Sequence, residues 1–328
     1  MSAFNTQDAS RATAFMLGVS YGPYTDAHAH LKVARKVATA KSVAIYSSVT
    51  KDDGQTELQY KRFGAEFTQS IPYFAQCPFL NGQIFGLTVN PELALYYQSL
   101  WQSEIINYTP QMGPLKESFV QPCLEQYQEE THTRAHNQAR EQWAAPLLER
   151  RGQITDTIKS VLKNSSGFDI YEITNYYPLN MANPETSLSD CIQFMPTIDK
   201  EVVKIISQDD LNHVCAIFAK REITIHQVLK CRYLVLVERK FIDDSKVVIN
   251  DNVVSEIKHL IEPNSANRVV IETYYCNGFI TNNRFLKKMP KFKEQIKQLM
   301  TYLVGTDWYV RIHDTQPTCQ VLYNRYDA

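Results

Sequence analysis

The sequence predicts an α+β fold: a helix-rich N-terminal half, a mixed or antiparallel sheet in the C-terminal half, and a long polar helix between them. Three observations carry this. Beyond residue 167 the chain returns repeatedly to runs rich in Val, Ile and Tyr (FDIYEITNYY, REITIHQV, RYLVLVERKF, KVVIN, RVVIETYY, DWYVRIH, CQVLYNRY), which suit a pleated, half-buried surface. Several of these runs are joined by short turns, whereas parallel pairing needs long crossovers, so antiparallel or mixed pairing is expected. Between Pro122 and Lys163 lies the longest polar helical run, centred on QEETHTRAHNQAREQW. The chain therefore divides into an N-terminal α+β region (1–121), a helical spine (122–166) and a C-terminal α+β domain (167–328).

In order, residues 6–17 read as a helix stopped by Gly18. Ala27, Leu31, Ala34 and Ala38 recur at helical spacing behind Thr25 or Asp26 as cap. SVAIYSSV and TELQYKRF flank Asp53-Gly54, a strong hairpin signal over 42–63. Residues 64–90, rich in aromatics and punctuated by Pro and Gly, are expected to be irregular with short strands. Asn90-Pro91-Glu92 supplies cap, N1 proline and first-turn acid for the next helix. In the spine, Tyr127, Thr131, Ala135, Ala139 and Trp143 make only a thin apolar stripe, and Pro146 is expected to break the helix. Ile154, Ile158, Val161 and Leu162 give its second piece a better buried face. Further helices are expected at 208–219, 252–262 and 290–304, the last between Pro290 and Gly305.

Composition narrows the function. At 328 residues, 44% hydrophobic and 21% charged, the chain can bury a large core. Only 11 glycines occur, below the usual ~7%, which counts against Gly-rich nucleotide-binding folds. A net charge of −1 excludes a globally basic coat. No apolar run reaches the ~18–20 residues a membrane helix needs, and MSAFNTQDASRATAF lacks a signal-peptide pattern, so a cytoplasmic, membrane-free protein is expected. The seven cysteines (77, 123, 191, 215, 231, 276 and 319) never form CxxC and read as reduced and buried. No nucleotide loop occurs. Gly18-Val19-Ser20-Tyr21-Gly22 has the letters GxSxG, but a helix rather than a strand precedes it, so no nucleophile elbow is expected.

Asp26-Ala27-His28-Ala29-His30-Leu31 resembles the HxH signature of TatD-like and other amidohydrolase-type metal hydrolases. The resemblance covers six residues and implies that His28 and His30 bind a metal. On a strand, i and i+2 share a face; on a helix they lie about 200° apart. The turn-forming YGPYT before the motif and the helix-periodic alanines after it place it on a helix. His132 and His136 have the i, i+4 spacing that suits a metal on one helix, although Thr133 stands where HExxH needs Glu. His213, His226, His259 and His313 are isolated.

NNRFLKKMPKFKEQIK (282–297) gathers Arg284, Lys287, Lys288, Lys291, Lys293 and Lys297 against Glu294, with Phe285 and Phe292 interleaved. Cations with aromatic platforms suit single-stranded nucleic acid; the competing reading is a solvated helix face with core-facing phenylalanines. Arg232, Arg239 and Lys240 are candidates to extend the patch.

These features point to a non-enzymatic, cytoplasmic, self-assembling protein of viral structural or replication-associated character. It is expected to form a homo-oligomer, to use no cofactor, and to contact single-stranded RNA or other nucleic acid through Arg284, Lys287, Lys288, Lys291, Phe292, Lys293 and Lys297. One alternative is a metal-dependent hydrolase using His28, His30, His132 and His136. Another is a scaffold that binds protein only.

Overall fold

A computed structural model describes residues 6–82, 84–180, 182–208, 213–238, 251–261, 268–272, 284–312 and 318–327. The expected strand at 246–250, together with Arg239, Lys240, Cys276 and His313, lies outside them. The fold is α+β, with the main sheet in the C-terminal half. Two compact units divide the chain: one holds Ser20–Gln83 and Val89–Ala145, the other Met1–Val19, Ile84–Thr88 and Pro146–Ala328.

The smaller unit contains α2 (Ala27–Thr39), the antiparallel hairpin β1 (Tyr46–Thr50) and β2 (Thr56–Tyr60), α3 (Arg62–Ala75), α4 (Pro91–Gln102), α5 (Glu117–Thr131) and the first part of α6 (Arg134–Asn164). An aromatic ladder forms its core. The ring centroids of Phe74 and Tyr96, and of Tyr96 and Tyr127, are each 5.0 Å apart, and the Tyr127 hydroxyl donates to the Ala34 carbonyl at 3.3 Å. Asn90 caps α4 by accepting from the Glu92 N–H at 2.9 Å, and the Glu92 carboxylate pairs with Arg35 at 2.6 Å and Arg140 at 3.6 Å.

The larger unit is built on α1 (Thr6–Leu17), β3 (Leu87–Val89, all but its last residue), the second part of α6, β4 (Gly167–Pro178), α7 (Pro184–Gln208), β5 (Val214–Ile223) and β6 (Val228–Glu238). It is completed by α8 (Asp251–Ile261), β7 (Arg268–Glu272), β8 (Arg284–Leu286), α9 (Phe292–Val304), β9 (Val310–Ile312) and β10 (Cys319–Asn324). The sheet order is β10-β5-β6-β4-β7, with β8 beside the start of β4, and these pairings are all antiparallel. Side chains alternate across the pleat. One face carries Phe168 and Ile170 from β4, Ala216 and Phe218 from β5, and Leu234 and Leu236 from β6; Ala12 of α1, Ile154, Ile158 and Val161 of α6, and Leu299 and Leu303 of α9 pack on it.

The same face becomes charged further along the strands. Arg232 pairs with Glu172, and with Glu222 at 2.6 Å. The Tyr302 hydroxyl of α9 donates to Glu222 at 2.8 Å, and the Lys220 ammonium donates to the Leu303 carbonyl at 3.3 Å and the Thr306 hydroxyl at 3.1 Å. Asp307 accepts from the backbone N–H and hydroxyl of Thr318 and feels the charges of Lys220 and Arg311. All six ionisable groups are buried, three of each sign. Desolvation, only partly offset by Arg232 and Thr174, pushes the Glu172 carboxyl up. On the other face α7 brings Asp199 to Arg221 and to the Tyr233 hydroxyl, 2.9 Å away.

Four local expectations are corrected. The helix α6 runs unbroken through Pro146; Gln142, whose carbonyl loses its partner, is exposed and can be solvated. The break falls instead at His132-Thr133, between α5 and α6. Residues 62–75 are helical despite Gly64 and Pro72, because Phe67, Ile71 and Phe74 bury one face. The helix expected at 208–219 gives way to β5, which pairs on both edges and is buried on both faces, so its apolar run has no strand alternation to read. REITIHQV spans the β5–β6 turn, where Gln227 adopts φ 56°, rather than one strand.

Removing the guanidinium leaves two buried carboxylates without their cation. Arg232→Met should therefore cost about 3–5 kcal/mol, read from the shift in denaturant midpoint; a change under about 1 kcal/mol would show that the network does not hold the sheet together.

Candidate nucleic-acid interface

The basic stretch is positioned by the start of β4. Gly167 lets β8 approach closely: a Cβ there would lie 2.3 Å from the Phe285 carbonyl oxygen. Phe285 is fully buried and stacks on Phe168 with centroids 5.0 Å apart. It anchors the segment and is not available to stack on a base. The Lys287 N–H donates to the Ser166 carbonyl at 3.3 Å, and the Met289 N–H to the Leu286 carbonyl at 2.9 Å, closing the turn before α9.

Around that turn the structure brings together Arg284, Lys287, Lys288, Lys291, Lys293 and Lys297, all exposed. Arg284 lies 3.7 Å from the Asp169 carboxylate with 46% of its side chain accessible. The helix α9 buries Ile296, Leu299, Met300 and Leu303, which leaves Lys293 and Lys297 one turn apart on its outer side. Lys291 occupies the N-cap without a side-chain capping bond. Lys287, Lys288 and Lys291 fall in the five residues before α9 and Lys293 in its first turn, the helix end that already carries partial positive charge, where cations are disfavoured and an anion is favoured. Glu294 is the acid of the first turn.

Sequence reading missed the second wall. Arg151, Thr155 and Leu162 of α6 face Phe292, Ile296, Met300 and Val304 of α9 across a cleft of about 490 Å³, with Lys293, Glu294 and Lys297 also lining it. The i, i+4, i+11 spacing on α6 marks one helix face, but nothing local in the sequence says that it meets α9. Phe292 is half-buried and open to this cleft. Arg232 does not extend the patch, because it is locked in the buried network.

The histidines are placed differently. Asp26 caps α2 by accepting from the Ala29 N–H at 3.0 Å, so the DAHAHL motif opens a helix. His28 is half-buried on it; His30 is buried, not on the helix surface, with its ring 4.4 Å from that of Phe74 and its Nε2 3.4 Å from the Tyr24 carbonyl. Burial lowers its pKa from 6.5 to about 4. His132 is the C-cap of α5, with Nδ1 2.7 Å from the Gln128 carbonyl, whereas His136 sits in α6; the expected single helical face for the two does not exist. Among the described residues no three His, Cys, Asp or Glu side chains converge as metal ligands. Cys231 is likewise enclosed: Arg221 donates to its sulfur at 2.9 Å, yet burial pushes the thiol up to about 11, the behaviour of a structural cysteine.

His30 makes a pH prediction for the smaller unit. Its folded pKa lies below the unfolded value, so its neutral form contributes stability above about pH 6.5 that is lost as pH falls toward 4, up to about 3 kcal/mol. Melting curves across that window should fall more steeply for the native chain than for His30→Leu; parallel curves would contradict the assignment. No family model, no curated protein and no solved structure matches the chain.

Proposed function

We propose that this protein binds single-stranded nucleic acid, RNA in the first instance, through the β8–α9 turn and the outer side of α9. The observation that carries this is the gathering of Arg284 and five exposed lysines at and beyond the N-terminal end of α9. Like charges held there repel one another and the helix dipole, and a phosphate chain relieves both. The role proposed is binding: among residues 284–297 six cations stand against one acid, Glu294.

Lys287→Glu/Lys288→Glu/Lys291→Glu should abolish salt-sensitive binding of a labelled single-stranded RNA in an anisotropy titration. Replacing the same three lysines by Ala should flatten the slope of log K against log salt by about 2. Unchanged binding in the Glu variant, or native binding indifferent to salt, would defeat the reading.

A second part of the proposal is self-association through the smaller unit, in keeping with a viral structural or replication-associated role. Met112 and Phe119 are 70% and 52% exposed and line one shallow cleft with Tyr108 and Leu115. Exposed apolar surface of this kind marks contact sites. Between Arg134 and Pro146 no residue of α6 is buried, so that polar stretch presents further surface to a partner chain. Light scattering should give an oligomer for the native chain and a smaller species for Met112→Glu/Phe119→Glu. A monomeric native chain would refute this part.

A further inference from the structure

We propose that the cleft between α6 and α9 seats an unstacked base of a bound single strand, with the adjoining phosphates on its cationic rim; this rests on the nucleic-acid reading above. Two features of the cleft carry the inference. Its lining is mostly apolar, with Leu162 from α6 and Phe292, Ile296, Met300 and Val304 from α9. Its other side chains are charged or hydroxylic, with Arg151 and Thr155 on one wall and Lys293, Glu294 and Lys297 on the other. At about 490 Å³ it falls within the range of roughly 300–1,000 Å³ typical of small-molecule sites.

An apolar cleft edged by cations complements a ligand with an apolar face and anionic neighbours. A nucleotide in a single strand has that character: its base presents two π-faces, and a phosphate lies on either side. In a duplex the bases are stacked and paired, so their π-faces are withheld from the cleft. The lysines by themselves would hold single and double strands by the same counterion term. The cleft adds a contact that only an unpaired base can make. Thr155 can donate or accept and Glu294 can accept, so the edge of a base finds polar partners there. With so few of them, the seat reads the face of the base more than its identity, and stacking on Phe292 supplies the affinity.

The cleft also continues the basic turn. Lys293 and Lys297 belong both to the exposed cationic row and to the cleft lining, so a strand tracking the lysines passes the opening. Arg151 faces them from α6 and places positive charge on both sides of the seat.

The test fills the cleft. In the full chain, Thr155→Trp, and the milder Thr155→Phe, add a ring from a half-buried helix position. Phe292→Leu is a second variant that removes the ring while keeping apolar contact with the core. Three probes are titrated by fluorescence anisotropy: a labelled oligouridylate, an abasic ribose–phosphate strand of equal length, and duplex RNA. The filled and Phe292→Leu variants should bind oligouridylate about tenfold or more weakly, with abasic and duplex binding unchanged. Unaltered oligouridylate affinity in variants that melt like the native chain overturns the base seat but leaves the lysine interface standing. A native chain that binds none of the three probes overturns the interface and the seat together. If dodecanoate instead binds the native chain and is expelled by Thr155→Trp while oligouridylate is unaffected, the cleft holds an acyl anion and the proposal is lost.

Discussion

Arg232 stands on the central strand β6 between two carboxylates, Glu172 on β4 and Glu222 on β5, away from water. A buried cation with two anions demands defined geometry, because any displacement exposes one of the three groups to an uncompensated low-dielectric environment. Strand register here is therefore sharply specified. Slipping β6 by one residue against β4 would turn Arg232 to the opposite face and put Cys231 or Tyr233 between the carboxylates. Continuous pairing from Phe168↔Glu238 to Pro178↔Val228 is consistent with that constraint.

The network reaches beyond the sheet. Tyr302 and the Leu303 carbonyl attach the C-terminal end of α9 to Glu222 and Lys220, and Asp307 ties the following turn to Thr318 at the start of β10. Once that end of α9 is fixed, the apolar residues Ile296, Leu299 and Met300 lay the helix along the sheet face beside α6. Its other end, with the lysines, is left in solvent. The cationic face thus follows from where α9 is anchored, some turns away, and the cleft with α6 runs along the helix to that anchored end, where Met300 and Val304 line it. Lysine stems lining the cleft cover part of its apolar surface while their ammonium groups stay hydrated.

The smaller unit uses a different principle. Its interior is organised by edge-to-face aromatic contacts, with His30 taken in as one more ring and its charge given up to desolvation. Glu92 is the one charged residue there that is buried among the described residues, and it is matched by Arg35 and Arg140 from two helices. Among the described residues of the larger unit the largely buried Asp199–Arg221 pair lines a small cleft beside α7, whereas the cations of the β8–α9 turn are exposed on the surface.

What the sequence determined by itself is local. Asp26, Asn90, Gly18 and Asp53-Gly54 punctuate the chain where capping and turn chemistry say they should, and β-branched and tyrosine-rich runs mark the sheet. The lysine cluster is equally local, being contiguous in the chain and exposed. Where tertiary burial competes with local signals, reading residue by residue fails: β5 hides its alternation because both faces are covered, and α3 keeps a proline because three large side chains gain more from burial than one hydrogen bond is worth. Only the tertiary structure decided that Arg232 is buried, that Phe285 is an anchor, and that Arg151 and Thr155 face α9. Each of these depends on which elements meet across the sheet, and that is set by long-range pairing and charge burial rather than by any neighbour in the chain.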